Sequence, residues 1–320
     1  MIIPVVLLVG VIVFTIMYFC PGDPATTILG TGASQQEINN LREQMGLNDP
    51  YLVQLGTYMY NTFLRFDLGE SYINGVSIAG ELALRFPKTL MLAFSAIILE
   101  IIIGIPLGMI AAIHRGKWLD NLCMVIALLG VSVPSFWFAL QLLLLFSQKL
   151  SLLPSYGVTH WTGWILPIVT NSLRGVATMA RQARSSMLEV IRSDYVVTAR
   201  AKGMTERNIL FRYALPNALI PLIQQAGDSF GSSLGGTVVI ENVFSIAGIG
   251  KYMVEAVGGR DYAVIRSTVV VLSIVFSLVM LLVDLCFAFV DPRIKSQYEG
   301  GGRRRRRWMR KQSKEVQIGA

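Results

Sequence analysis

Residues 89–113 read TLMLAFSAIILEIIIGIPLGMIAAI, an apolar run in which Glu100 is the one charged side chain. A transmembrane helix needs about 20 mostly apolar residues, and runs at 2–20, 122–146 and 268–290 also meet that criterion. Two runs with polar interruptions are interpreted as spans as well, because polar side chains inside a bundle face protein or water. These two runs are 164–180 and 219–243. The sequence therefore predicts an all-α membrane protein with six transmembrane helices.

The composition agrees with this fold class. Hydrophobic residues make up 53% of the 320 residues and charged residues 15%, whereas soluble domains carry about 25% charged residues. A net charge of +8 would suggest nucleic acid if it covered a folded surface, but ten of the 28 basic residues follow Asp291. Cys20, Cys123 and Cys286 lie far apart, so the sequence predicts neither a metal site nor a disulfide framework. No nucleic-acid partner is predicted either.

The distribution of Lys and Arg predicts the orientation. Six spans place both termini on one side together with the links at 114–121 and 181–218, and this side holds most of the basic residues. The segments on the other side carry far fewer, and 21–88 is net acidic. Both termini are therefore predicted to be cytoplasmic in a multi-pass membrane protein.

The same pattern divides the chain into four parts. Residues 1–20 form the first helix, which lacks a basic n-region and a cleavage site and is therefore interpreted as retained. Residues 21–88 form a small extracytoplasmic segment, in which a short helix is predicted with Ser34 or Ala33 near its cap, Glu37 three residues after Ser34, and its end near Gly46. Residues 89–290 hold the other five helices, and 291–320 form a cytoplasmic basic tail. The arginine block of this tail is either solvated or bound to anionic membrane lipid.

The link at 181–218 contains a short helix with clear boundaries. Asp194 can cap its N-terminus, and Gly203 can supply the left-handed residue that ends it. Small side chains at Thr198, Ala199 and Ala201 predict a shallow surface that another protein could contact. A second helix is expected at about 205–215, before two prolines mark the entry into the fifth span.

Five motifs give this chain a family resemblance. Gly203 is followed thirteen residues later by Pro216, a spacing similar to the cytoplasmic loop of binding-protein-dependent ABC permeases. Ala199, Gly203, Leu215 and Pro216 match that loop, whereas its Glu-Ala-Ala start is Val-Thr-Ala here. The form DYVVTARAKG at 194–203 resembles the dipeptide, oligopeptide and nickel permease branch. PGDP at 21–24, DLGES at 67–71 and DPR at 291–293 resemble the same branch.

The resemblance implies a type I ABC importer permease. Two permease subunits would form the path, two ATPase subunits would dock below them, and an extracytoplasmic solute-binding protein would deliver the solute. ATP and magnesium would bind the ATPases, so no cofactor is expected on this chain and no catalytic residue either. Dipeptides, oligopeptides, glutathione and nickel chelates all remain open as cargo. The implied ATPase-coupling helix comprises Asp194, Tyr195, Thr198, Ala199, Arg200, Ala201, Lys202 and Gly203, with Leu215 and Pro216 ending the loop motif.

Three acidic residues, Glu100, Asp228 and Asp284, lie inside predicted spans, where a charge costs about 2.5–3.5 kcal/mol on insertion scales. Arg174 is a candidate partner, and pairing between helices is favoured over solute contact for these acids as a group. Asp228 has several polar neighbours, so the fifth span is hypothesised to line the path. The predicted path residues are Asp228, Gln224, Ser232 and Glu100.

Other functions are less consistent with the sequence. A membrane enzyme would need a nucleophile–base pair, but His114 and His160 fall on opposite sides of the predicted topology. A self-contained secondary transporter or channel is the main alternative, although no internal duplication is visible. The stretch AGIGK at 247–251 resembles part of a phosphate loop, but Ser245 replaces its first glycine and Tyr252 its Ser/Thr. ATP is therefore expected on partner subunits.

Overall fold

The computed structural model of the chain describes residues 2–30 and 32–290, and this part of the chain is helical. The tail predicted at 291–320, with its DPR motif and arginine block, lies outside the described residues. The helices are α1 (Ile2–Phe19), α2 (Pro24–Leu29), α3 (Gln35–Gln44), α4 (Tyr51–Leu64), α5 (Ile78–Ile113), α6 (Trp118–Ser132), α7 (Ser135–Leu142), α8 (Ile165–Ile191), α9 (Asp194–Ala201), α10 (Glu206–Asn208), α11 (Leu215–Val243), α12 (Ile249–Gly259) and α13 (Tyr262–Val290). Two π-helical turns, Leu143–Lys149 and Ile209–Ala214, follow α7 and α10, and a 3-10 turn, Trp161–Trp164, precedes α8.

The centre of the bundle is the pair α5 and α8, whose backbones approach closely. Gly104 and Gly108 lie on the contact face of α5, in the small-xxx-small spacing that allows membrane helices to pack tightly. A Cβ at Gly108 would overlap the carbonyl oxygen of Ala180 and the methyl group of Ala183, and one at Gly104 would lie 2.7 Å from Cβ of Met179. Glycine at these positions therefore sets the distance between the two helices.

Three of the described helices are long and apolar enough to cross a membrane, namely α1, α5 and α13 as far as Cys286. Helices α6 and α7 with the following π turn make a fourth candidate if they count as one span. Helices α8 and α11 are 27 and 29 residues long, which is enough length for a bilayer, but their polar faces lower their hydropathy. The count of six spans stays a prediction.

The span predicted at 122–146 is interrupted. Helices α6 and α7 are bent by 100° relative to each other, and the break falls at Val133 and Pro134, between the two helices. Proline has no N–H to donate, and its ring clashes with the carbonyl of the preceding turn. Helix α5 also starts earlier than expected, at Ile78 instead of residue 89.

Polar contacts define the two ends of the bundle. At one end Asp120 of α6 accepts a two-pronged ion pair from Arg184 of α8, with N–O distances of 2.6 and 2.8 Å. At the other end Ser71 donates to Asp261 at 2.5 Å, and the Arg266 guanidinium donates to the Tyr72 hydroxyl at 3.0 Å. The segments predicted to be extracytoplasmic, 21–88 and 244–267, therefore lie together at the end opposite the links that contain Asp120 and Arg184.

The capped helix predicted in the 21–88 segment is confirmed. Ser34 is the N-cap of α3; its hydroxyl accepts from the Glu37 N–H at 3.3 Å, and the Glu37 carboxylate accepts from the Ser34 N–H at 2.8 Å. Gly46 follows the helix with φ of +65°, a left-handed conformation suited to glycine.

Gly108→Ala should lower the thermal stability of the detergent-purified protein, because the added methyl group overpacks the contact between α5 and α8 at a cost of about 1–3 kcal/mol. Gly56→Ala in α4 is the matched control, since a Cβ at Gly56 would meet no other atom within 4 Å. Equal melting temperatures for the two variants would contradict the role assigned to Gly108.

Candidate coupling helix and solute pathway

Helix α9 occupies the stretch that the sequence singled out. Its N-cap is Ser193, with an extended backbone at φ −71° and ψ 151°, so Asp194 is the first helical residue and the prediction that it caps the helix is wrong. Gly203 ends the segment as predicted, at φ of +75°. Its N–H donates to the Arg200 carbonyl at 3.0 Å. A carboxylate in the first turn is still favourable, because the helix dipole is positive there.

One face of α9 is buried against the chain that follows it. Val196 and Ala199 are 0% and 4% exposed and pack against Ile209. Ala199 therefore does not belong to the outward surface, contrary to the prediction that grouped it with Thr198 and Ala201. The outward surface of α9 consists of the exposed residues Asp194, Tyr195, Val197, Thr198, Arg200, Ala201 and Lys202.

An ion pair closes the turn after α9. The Arg200 guanidinium donates to both carboxylate oxygens of Glu206, at 2.6 and 3.1 Å. These hydrogen bonds hold the pKa of Glu206 below its ordinary value. Both side chains are exposed, so the pair stabilises the fold by no more than about 1 kcal/mol. The two hydrogen bonds link the end of α9 to Glu206, the first residue of α10.

After the turn that follows α9, the chain from α10 onward continues without interruption into a long helix. The second helix predicted at 205–215 does not stop at Pro216. Instead α10 passes into the π turn Ile209–Ala214 and then into α11. The wider π turn accommodates Pro216, which lies in the first turn of α11 and has no N–H for the preceding carbonyl. Ile209, on which α9 rests, is thus part of one continuous helical segment from α10 to the end of α11, here called the rod.

A cavity of about 470 Å³ lies farther along this rod. Side chains from α5, α8 and α11 line it, and the break between α6 and α7 forms another wall. Glu100, Asp228 and Ser232, three of the four predicted path residues, line this cavity together. The fourth, Gln224, does not line it but donates to the Asp228 carboxylate at 3.4 Å. Gln225 lines the cavity in its place.

Glu100 is the most deeply buried charged group at the cavity. Its side chain is 2% exposed, and its Oε2 atom has no hydrogen-bond partner among the described residues. A Cβ at Gly175 of α8 would overlap the carboxylate. The absence of a side chain at Gly175 is therefore what allows Glu100 to lie between α5 and α8.

Arg174 also lines the cavity and is an exposed residue. The predicted pairing of Arg174 with an acid is not found, because no ion pair joins it to Glu100, Asp228 or Asp284 within residues 2–30 and 32–290. Asp284 lies exposed on α13 and does not line the cavity.

A fourth acid, Glu241, was missed by the sequence reasoning although it is fully buried near the end of α11. Its carboxylate accepts hydrogen bonds from the Thr89 hydroxyl at 2.6 Å and from the Lys251 N–H at 2.9 Å. A Cβ at Gly248 would overlap it. The stretch 247–251, which resembles a phosphate loop, thus binds the chain's own carboxylate. The sequence signal for this site was Glu241 followed by Gly248 and Gly250 at the start of α12.

Comparison with known proteins gives the family. The profile described as "Binding-protein-dependent transport system inner membrane component" matches residues 104–296, and that of its N-terminal part matches residues 1–93. The chain belongs to this family. It is therefore a transport permease, integral to the inner membrane.

Individual relatives of the permease cover nearly its whole length. It is 40% identical over 301–323 aligned residues to relatives that include the dipeptide transport system permease protein of Alkalihalophilus pseudofirmus, where the match covers 92% of this chain and 97% of that one. It is 39% identical to the glutathione transport system permease protein of Escherichia coli strain K12, covering 92% and 95%.

A solved structure gives the fold. A chain from an inward-facing conformation of the MetNI methionine ABC transporter matches with a TM-score of 0.56 at 22% identity. The match covers 66% of this permease and 96% of that chain. The predicted type I ABC permease fold is confirmed.

Ala199→Trp should expose α9 of the permease to proteolysis, because an indole cannot fit the contact between Ala199 and Ile209, and local opening follows the loss of buried contacts. Trypsin cleavage after Arg200 and Lys202, followed by mass spectrometry, should be several-fold faster than in the unaltered protein. Thr198→Trp adds the same side chain on the outward face and should leave the rate unchanged. Equal rates in both variants would mean that the buried contact does not hold α9.

Proposed function

We propose that this permease is one of two membrane subunits of an ATP-driven importer that moves peptides across the bacterial inner membrane. The observation that carries the proposal is the continuous helical rod that runs from Ile209, on which α9 rests, to the polar cavity at Asp228. Relatives named for dipeptide and glutathione transport support a peptide-sized cargo.

In this proposal α9 is the coupling helix that contacts an ATPase subunit. A moving contact transmits work only if it is held rigidly on the element that it drives. Val196 and Ala199 bury one face of α9 on Ile209, and the ion pair between Arg200 and Glu206 closes the turn. Closure of the ATPases on ATP would displace α9 and, through the π turn, tilt α11 beside the cavity.

The need for a second permease follows from the outward face of α11. Gln224, Asp228, Ser232 and Gly235 are exposed along one side of this helix. A charged side chain at the centre of a bilayer costs about 2.5–3.5 kcal/mol on insertion scales, so Asp228 is expected to face protein or water. A homologous permease across a shared path would supply both.

The remaining partners are assigned by position. Two ATPases would dock at the end that holds α9 and the Asp120–Arg184 ion pair, and this end is proposed to be cytoplasmic. A solute-binding protein would dock at the opposite end, on the 21–88 segment. ATP and magnesium would be bound by the ATPases alone, and the hydrogen bond from the Lys251 N–H of the 247–251 stretch to the chain's own Glu241 supports this part of the proposal.

Purification of the tagged chain in mild detergent tests the assembly. A second permease and two ATPases should co-purify, in equal numbers of each kind of subunit. Recovery of the chain alone or as a homo-oligomer would instead favour a self-contained secondary transporter or channel, and the proposal would fall.

Gly203→Pro should release the ATPases and abolish ATP-driven uptake while the chain still inserts. Proline fixes φ near −65° and has no N–H, so it fits neither the φ of +75° at Gly203 nor the hydrogen bond to Arg200. Co-purification and uptake into cells measure the two effects.

Gly157→Pro is the matched control for this variant. Gly157 has φ of +74° and donates its N–H to the Phe244 carbonyl at 3.0 Å, so the backbone defect is the same but lies far along the chain from α9. This variant should keep its ATPases. Loss of ATPases from both variants would point to general misfolding instead of a coupling role for Gly203.

Asp228→Asn should lower the uptake of labelled dipeptide about tenfold, the equivalent of about 1.4 kcal/mol, because the path would lose a charge. Asp284→Asn is the control, since Asp284 is also an exposed acid in a predicted span but lies away from the cavity. Unchanged uptake in Asp228→Asn would remove this residue from the path.

A further inference from the structure

The cavity beside α11 is lined by both acidic and basic side chains. Glu100 and Asp228 are acidic, Arg174 is basic, and all three line the cavity. No ion pair within 4.0 Å joins them in the described part of the chain. Hydroxyl and amide groups complete the polar lining, contributed by Ser229, Ser232, Ser233, Asn171, Thr170, Thr178 and Gln225.

Glu100 is the strongest sign that a ligand completes this site. Glu100 is only 2% exposed, and its Oε2 atom has no hydrogen-bond partner among the described residues. A buried carboxyl group with an oxygen that lacks a partner is costly and is normally matched by a hydrogen-bond donor or an opposite charge. Glu100 and Gly175 both line the cavity, and the carboxylate lies directly beside Gly175, where a Cβ would overlap it.

The cavity wall formed by the break between α6 and α7 supports the same interpretation. The helix breaks at Val133 and Pro134, and both residues line the cavity. Transporters often build solute sites at discontinuous helices, where free backbone groups add to the side chains. The volume of about 470 Å³ lies within the range of about 300–1,000 Å³ typical of small-molecule sites.

We infer that this cavity is a solute site for the zwitterionic ends of a short peptide. Glu100 and Asp228 bind the α-ammonium group, and Arg174 binds the α-carboxylate. An extended dipeptide spans about 7 Å, which suits a site with walls on neighbouring helices. This inference rests on the proposed importer function and specifies which part of the peptide this subunit recognises.

Protection of a thiol placed in the cavity tests the inference on the complete importer. Ser232→Cys puts a thiol on the cavity wall, and its rate of alkylation by a maleimide is followed by peptide mass spectrometry. Millimolar alanyl-alanine should slow alkylation at position 232. The N-acetylated and the C-amidated dipeptides should each need at least about tenfold higher concentration, the equivalent of about 1.4 kcal/mol. Cys286, exposed on α13 outside the cavity, is the internal control and should react at a constant rate.

Charge variants in the Ser232→Cys background assign the two ends. Arg174→Gln should weaken protection by alanyl-alanine but not by its C-amidated form, whereas Arg174→Lys should keep most of the difference between the two. Asp228→Asn should weaken protection by alanyl-alanine but not by its N-acetylated form. Thr178→Cys provides a second reporter position if the first variant assembles poorly.

Equal protection by free and blocked dipeptides would overturn the inference, and so would a lack of protection at both reporter positions. Protection by simple salts alone would identify an ion site instead and would also overturn it. Uptake of labelled dipeptide by the unaltered importer is measured in parallel. Uptake without protection defeats the inference and leaves the proposed function standing, whereas absence of peptide uptake defeats the proposed function itself.

Discussion

The close approach of α5 and α8 is the constraint on which the other features depend. Gly104 and Gly108 allow the two backbones to touch, and Gly175 leaves space for the Glu100 carboxylate in the same contact. A larger residue at any of these glycines would separate the helices or displace the acid. The position of Glu100 at the cavity is therefore a consequence of packing between helices, in which small residues replace the hydrophobic driving force that is missing between helices in lipid.

Ile209, on which α9 rests, and the cavity residues of α11 lie on one continuous helical segment. Because Pro216 interrupts the hydrogen-bond pattern without ending the helix, the π turn joins Ile209 to α11 as one element. A short helix resting on Ile209 can thus act on Asp228 without any intermediate loop. A break at Pro216, which the sequence predicted, would have separated the two sites mechanically.

The sequence was sufficient for the features that depend on local chemistry. The apolar runs at 2–20, 89–113 and 268–290 predicted helices, Ser34 and Glu37 predicted a capping box, and Gly203 predicted the end of α9; each is confirmed. It was insufficient where a contact joins distant parts of the chain. The burial of Ala199 depends on Ile209, and the burial of Glu241 depends on Thr89 and the 247–251 turn. Proline effects were also ambiguous, since Pro134 breaks a span whereas Pro216 does not.

The two buried acids show why a charge in a membrane helix does not have one meaning. Glu241 receives donors from Thr89 and Lys251, so its cost of burial is offset inside the chain and its role is to fix the turn before α12. Glu100 keeps one oxygen without a donor, in a cavity where Arg174 has no ion-pair partner within the described residues. The same physical requirement, that a buried charge be matched, is met within the fold in the first case. In the second, one carboxylate oxygen is left for the proposed solute, and Asp228 presents a second, exposed acid on the same cavity toward the face where a second permease is proposed to lie.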